Sequence, residues 1–244
     1  MTRAELKKQA KECLRGRWGT AIAMVVMYEI IAGALSMIGN FVIGLGAIAV
    51  LVISIPISFG FIGQFIKFSR KEEVGVVDFF KIGFDNFGKS WSIFGNTLLK
   101  LLPYVIGMIV SMVLMIAATA YATQKEDVEM LLILILIAYV IFFVFYIMLL
   151  VKSYLYMLPE YIGNDTDDMT AKEIVEKSAE LMKGHRWEFF VLQLSFLGWI
   201  FLSLFTCGIG LLWVIPYMDV TIVKFYEYVA GVNKGSNSEV IDYN

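Results

Sequence analysis

Glu29 and Asp219 are carboxylates set inside long apolar runs, and their depth is the first chemical clue. Glu29 stands about 11 residues beyond Trp18 and Asp219 about 10 beyond Gly208-Ile209. At about 1.5 Å per residue both are roughly 16 Å deep, near the middle of a bilayer. A carboxylate there costs about 2.5–3.5 kcal/mol on insertion scales and usually faces a bundle interior or a cavity. Two acids at one depth can bind a cation, share a proton or hold a polar ligand. They can equally be protonated or paired with Tyr28, Tyr217 or Thr221 and only fix helix packing. Glu29 and Asp219 are the candidate intramembrane polar site.

Other reactive residues are scarce. His185 is the single histidine, and Cys13 and Cys207 are the two cysteines, neither in a metal-ligand spacing. His-Glu-x-x-His, Gly-x-Ser-x-Gly and Walker signatures are missing. The expectation is a non-enzyme with no catalytic residue, no metal and no cofactor. Gly44-Leu-Gly46 resembles a dinucleotide loop only in outline, since it lies inside an apolar run where close helix packing explains it better. Gln193, Ser195 and Asn96 are expected to make interhelical hydrogen bonds. Pro56, Pro103 and Pro216 lie within spans and can free backbone carbonyls. Gly60 with Gly63, and Gly208 with Gly210, suggest close approach or a tight turn.

The elements that hold these residues follow from composition. The chain has 244 residues, 59% hydrophobic and 17% charged, more apolar than soluble domains at roughly 45–50%. The excess falls in six runs, about 19–38, 41–66, 98–122, 131–157, 187–206 and 209–230. The predicted fold class is all-α: a polytopic membrane helical bundle of six transmembrane helices. Of the 20 basic residues all but Lys125 fall at the N-terminus, in the two long links, or near the C-terminus. That bias predicts N- and C-termini in the cytoplasm. It also puts Cys13 and Cys207 on opposite sides, which excludes a disulfide between them. Ala32-Gly-Ala34 resembles a signal-peptide cleavage site, but Glu29 interrupts the run and apolar sequence continues past it. A net charge of −2 gives no argument for nucleic acid.

The links carry a recurring pattern. Thr170-Ala-Lys-Glu173 has capping-box spacing, and Ala171, Ile174, Val175, Ser178 and Met182 share one helical face. Gly184, His185-Arg186 and Trp187 then lead into an apolar run. Leu6, Ala10, Cys13 and Leu14 precede Arg15-Gly-Arg-Trp18 in the same way. Phe80, Phe84, Phe87, Trp91 and Phe94 recur at helical spacing around Gly88-Lys89. The prediction is three hairpins, each preceded by a cytoplasmic interfacial amphipathic helix with its apolar face in the lipid. The units cover about 3–66, 76–158 and 170–230 of one membrane domain, with 231–244 a flexible cytoplasmic tail. They start from the same side, unlike the inverted repeats of many transporters. Arg15, Arg17, Trp18, Lys89, Trp91, Lys183, Arg186 and Trp187 are candidate lipid-headgroup corners.

Five stretches carry a family likeness: Glu5-Leu-Lys-Lys-Gln-Ala-Lys11, Leu14-Arg-Gly-Arg-Trp18, Ser178-Ala-Glu-Leu-Met-Lys-Gly-His-Arg-Trp187, Leu194-Ser-Phe-Leu-Gly-Trp199 and Thr206-Cys-Gly-Ile-Gly-Leu-Leu-Trp-Val-Ile-Pro-Tyr217. They resemble an uncharacterised membrane-protein family, mostly of Gram-positive bacteria, domain-of-unknown-function family 975. A more distant likeness is to the membrane portion of some glycerophosphodiester phosphodiesterases. The resemblance implies a bacterial plasma membrane and transfers no catalytic residue. The expected role is a membrane-organising or lipid- or peptide-handling module or accessory subunit, with membrane lipids and another membrane protein as partners. The alternative is a small transporter or channel using Glu29 and Asp219.

Overall fold

A computed structural model describes residues 1–41, 45–125 and 128–231. The described residues form α1 (Arg3–Leu14), α2 (Trp18–Phe41), α3 (Leu45–Ser69), α4 (Asp78–Asp85), α5 (Phe87–Lys125), α6 (Val128–Ser153), a short 3-10 turn (Tyr154–Tyr156), α7 (Pro159–Asp165), α8 (Ala171–Leu181), α9 (Arg186–Leu204) and α10 (Leu211–Val229), without a strand among them. Five of these, α2, α3, α5, α6 and α9, are long and apolar enough to cross a membrane, alone or with the segment that follows, as a membrane protein requires. α10 holds Asp219, Lys224 and Glu227 and is outside that set. The expected tail at 231–244 lies, beyond Gly231, outside the described residues.

Local signals start the short helices. Glu173 N donates to Thr170 Oγ1, and Thr170 N donates back to Glu173 Oε2, the expected capping box. Thr2 and Glu5 form a second box at the start of α1 that the sequence reading passed over. Gly16 and Gly184 take positive φ at the corners before α2 and α9, where a side chain would be strained.

Packing differs from the expected ramps. Leu6, Ala10, Cys13 and Leu14 of α1 are buried against the protein's own helices, chiefly α10, rather than turned to lipid. Ile174, Val175 and Ser178 of α8 are buried in the same way, against α5, α7 and the 3-10 turn. The physical reason is that the same stripe that could enter lipid completes a core instead, Leu6 and Ile174 in one cluster and Ala10 and Leu14 in the other. α4 behaves differently. It buries Phe79 and Gly83, while Phe80, Phe84 and Phe87 stack outward in a row with ring centroids 6.4 Å apart. Of the predicted aromatic face Phe84 and Phe87 are exposed while Phe80, Trp91 and Phe94 are half-buried, and the face is broken at Asn86 between α4 and α5.

Two cores result. Leu6, Phe59, Ile93, Ile162, Phe189 and Phe225 belong to one, and Leu14, Met24, Phe65, Phe68 and Val223 to the other. α1 contributes to both. The α5–α6 hairpin projects beyond them: only 6% of the most apolar stretch of each arm is buried, against 39% for α3. α5 has 39 residues, about 58 Å of helix.

Candidate functional site

Asp219 sits on α10 with its Oδ2 atom buried and without a hydrogen-bond partner. Glu29 of α2 lies near enough for its charge to act on it, and the Glu29 side chain is exposed. The pair expected from the sequence is thus brought to one region. A third carboxyl joins it: Glu160 of α7 meets the Ser58 hydroxyl of α3. Tyr161 feels the charges of both Asp219 and Glu160, and Tyr28 feels all three acids. Sequence reading missed Glu160 by assigning it to a link. The available signal was Pro159-Glu160, a proline at the first helical position followed by an acid in the first turn. The cluster thus gathers three carboxyls and two phenols in one region, with Asp219 Oδ2 buried and Glu29 exposed. Among the described residues no group of three or more His, Cys, Asp or Glu side chains is arranged to hold a metal ion.

The level of this cluster is set by its neighbours. Tyr28 stacks on Phe61 at 4.1 Å and meets Phe79 of α4 edge-on at 6.0 Å. α4 carries Asp78, Lys81 and Asp85. α4 is held there by glycine: a Cβ on Gly60 would stand 1.9 Å from the Phe79 carbonyl oxygen, and one on Gly83 2.1 Å from that of Pro56. The acids therefore share a level with a charged short helix.

A second polar centre ties the two long links to α10. Arg70, just past α3, pairs with Asp165 at 2.6 Å and with Glu227 of α10 at 3.7 Å. Tyr226 Oη donates to Asp165 at 2.8 Å, and Lys224 pairs with Glu227 at 2.6 Å. Burial pulls the Arg70 pKa down, but the hydrogen bond and charge of Asp165 outweigh it and the net shift is upward. Beside this network lies a cleft of about 520 Å³ lined by Lys67, Arg70, Lys81, Asp165 and Asp167 among others.

The predicted headgroup corners divide. Arg17 donates to the carbonyls of Phe68 (3.0 Å) and Glu72 (2.9 Å), closing the end of α3. Lys89 bonds the Thr166 carbonyl and Asp167. Trp91 donates to the Val52 carbonyl, and Trp18 packs on the second core. Arg15, Lys183 and Trp187 are exposed, and Arg186 is half-buried. Of the expected interhelical polar contacts, Gln193 accepts from Tyr154 at 2.9 Å. Asn96 and Ser195 instead bond carbonyls of their own helices, at Ser92 and Leu192.

No curated protein and no solved structure matches this chain. The family described as "Protein of unknown function (DUF975)" matches residues 1–233, nearly the whole chain, and the chain belongs to that family.

Proposed function

We propose that the protein is a non-enzymatic membrane module that organises lipid, or supports another membrane protein, through its projecting α5–α6 hairpin. The observation that carries this reading is the bareness of that hairpin above a base knitted together by charge and aromatic packing. Three hairpins enter from the cytoplasmic side of a bacterial plasma membrane, with both termini inside. The one-sided placement of basic residues and the family likeness support that sidedness. Lipids are the immediate partners, and nucleic acid is not one. The exposed basic and aromatic groups, Arg15, Lys183 and Trp187, are set for anionic headgroups.

A second reading is transport, favoured by the unpartnered Oδ2 of Asp219 beside Glu29 and Glu160. The 520 Å³ cleft beside Arg70 is lined by residues other than these acids, which favours the first reading. Reconstitution in phosphatidylethanolamine–phosphatidylglycerol vesicles separates the two. The expected result is proton and potassium permeability equal to that of empty vesicles. A flux abolished by Glu29→Gln or Asp219→Asn would replace the first reading with the second.

A further inference from the structure

We propose that the α9–α10 hairpin is a half-depth wedge: it seats among the acyl chains of the cytoplasmic leaflet and turns there instead of crossing. Three independent observations carry this.

The first is depth. α1 is strongly charged, with Arg3, Lys7, Lys8 and Lys11 along it, so it lies at or above the water boundary. Yet α1 packs well along the hairpin. Lys7 Nζ donates to the Ser195 carbonyl at 3.1 Å and stands 4.1 Å over the Phe196 ring, and Tyr217 Oη reaches the Lys7 carbonyl at 3.4 Å. Water-level groups therefore reach Ser195 on one arm and Tyr217 on the other. From Phe196 to the end of α9 at Leu204 the rise is about 12 Å, against a hydrocarbon core of about 30 Å.

The second is the tip. Phe205-Thr-Cys-Gly-Ile-Gly210 has no charged residue, and its apolar members point outward: Phe205 is 87% exposed and Ile209 60%. The α5–α6 tip, which has arms long enough to cross, carries Lys125, Glu126, Asp127 and Glu129 in its sequence.

The third is the backbone. Every N–H from Phe205 to Val214 has an acceptor inside the hairpin. Gly208 N bonds the Ser203 carbonyl at 2.9 Å, and Gly210 N bonds Thr206 Oγ1 at 3.0 Å. The remainder close on carbonyls three or four residues back. Cys207 at φ 51° and Gly208 at φ +85° allow this tight closure. A turn in water has no need to close all its donors, whereas one among acyl chains must. α10 itself, with three charged residues, is not among the helices apolar enough to span.

The wedge deepens the proposed function: a hairpin that adds area to one leaflet alone is a means of organising membrane. It rests on the cytoplasmic entry proposed above, and with Tyr217 at the water boundary it sets Asp219, two residues farther from the tip, at that boundary instead of the mid-bilayer depth expected from the sequence.

The test uses native Cys207, which is exposed on the tip, while Cys13 is buried and donates to the Ser69 carbonyl. Cells are treated from outside with a membrane-impermeant maleimide, and labelled peptides are assigned by mass spectrometry, with Glu129→Cys as the outward reference. The expected result is labelling of Glu129→Cys and none at Cys207 above background. Bimane attached to Cys207 in detergent, then reconstituted, is expected to be quenched most by lipids brominated deep in the chain. Labelling of Cys207 from outside would overturn the wedge in favour of a full crossing. Labelling of Cys207 from the cytoplasmic side by the same reagent would overturn it by placing the tip in water. A Glu129→Cys closed to the outside while Lys172→Cys is open would instead overturn the sidedness beneath both readings.

Discussion

Trp91 donates its indole N–H to the carbonyl of Val52 at 3.3 Å. Val52 stands four residues before Pro56, whose ring has no N–H, so the helical partner of that carbonyl is missing. A residue at the start of α5 thus satisfies an acceptor that proline freed inside α3, and ties the first unit to the second.

This pairing gives a double-mutant test. Trp91→Phe keeps the ring and removes the donor, and is expected to destabilise by about 1 kcal/mol. Pro56→Ala restores an N–H to Val52, so the Trp91→Phe loss is expected to shrink in that background. Chemical unfolding in detergent reads the coupling, and strict additivity would contradict it.

Gly60 and Gly83 hold α4 on α3 by backbone contact, so there is no flexible neighbour to give way. Gly60→Ala and Gly83→Ala are expected to lower stability by about 2–3 kcal/mol through overpacking. Gly88→Ala and Gly95→Ala on α5 meet nothing within 4 Å and are expected to be neutral or to stabilise by about 0.5–1 kcal/mol. Melting temperatures in one detergent compare the two pairs.

Asp165 is 3% exposed and Arg70 33%, so the pair is only partly screened. Arg70→Met leaves Asp165 buried, with the Tyr226 hydroxyl still donating to it. The expected loss is about 2–3 kcal/mol, below the full value for a buried pair because the guanidinium is partly in water. Asp165→Asn, which keeps an acceptor for Tyr226, is expected to lose less. Equal losses in the two variants would contradict this account of the network.

The parts legible in the sequence are those with local causes. Thr170 and Glu173 are three residues apart, and the capping box they predict is present. The Arg15-Gly-Arg-Trp18 corner and the helical runs follow from composition within a few residues, except that α5 starts at Phe87, eleven residues before the expected run at 98–122. Arg70 and Asp165, by contrast, are 95 residues apart, and nothing in their spacing announces a pair. Glu160 was hidden because its link reads as cytoplasmic, although α7 folds back against Phe59 through the Asn164 side chain. The stripe of Leu6, Ala10 and Leu14 is legible as one apolar helical face, but it is expected in lipid and is instead buried in protein, because periodicity does not say what covers a face.

That capping box also predicts a pH response. Hydrogen bonds from Thr170 hold the Glu173 carboxyl below its ordinary value of 4.5. A group depressed in the folded state stabilises above its unfolded pKa and loses that contribution as pH falls through the folded one. Amide exchange at Ala171–Glu173 is therefore expected to be protected at neutral pH and to speed up in acid below 4.5. In Thr170→Ala that acid step is expected to disappear.

Sidedness is the claim on which the functional account depends, and one measurement reaches it directly. In a background with Cys13 and Cys207 replaced, Lys172→Cys on the exposed face of α8 and Glu129→Cys at the start of α6 are exposed to an impermeant maleimide on intact cells. The account predicts labelling at Glu129→Cys in intact cells, and at Lys172→Cys only after permeabilisation. Labelling of Lys172→Cys in intact cells would contradict it.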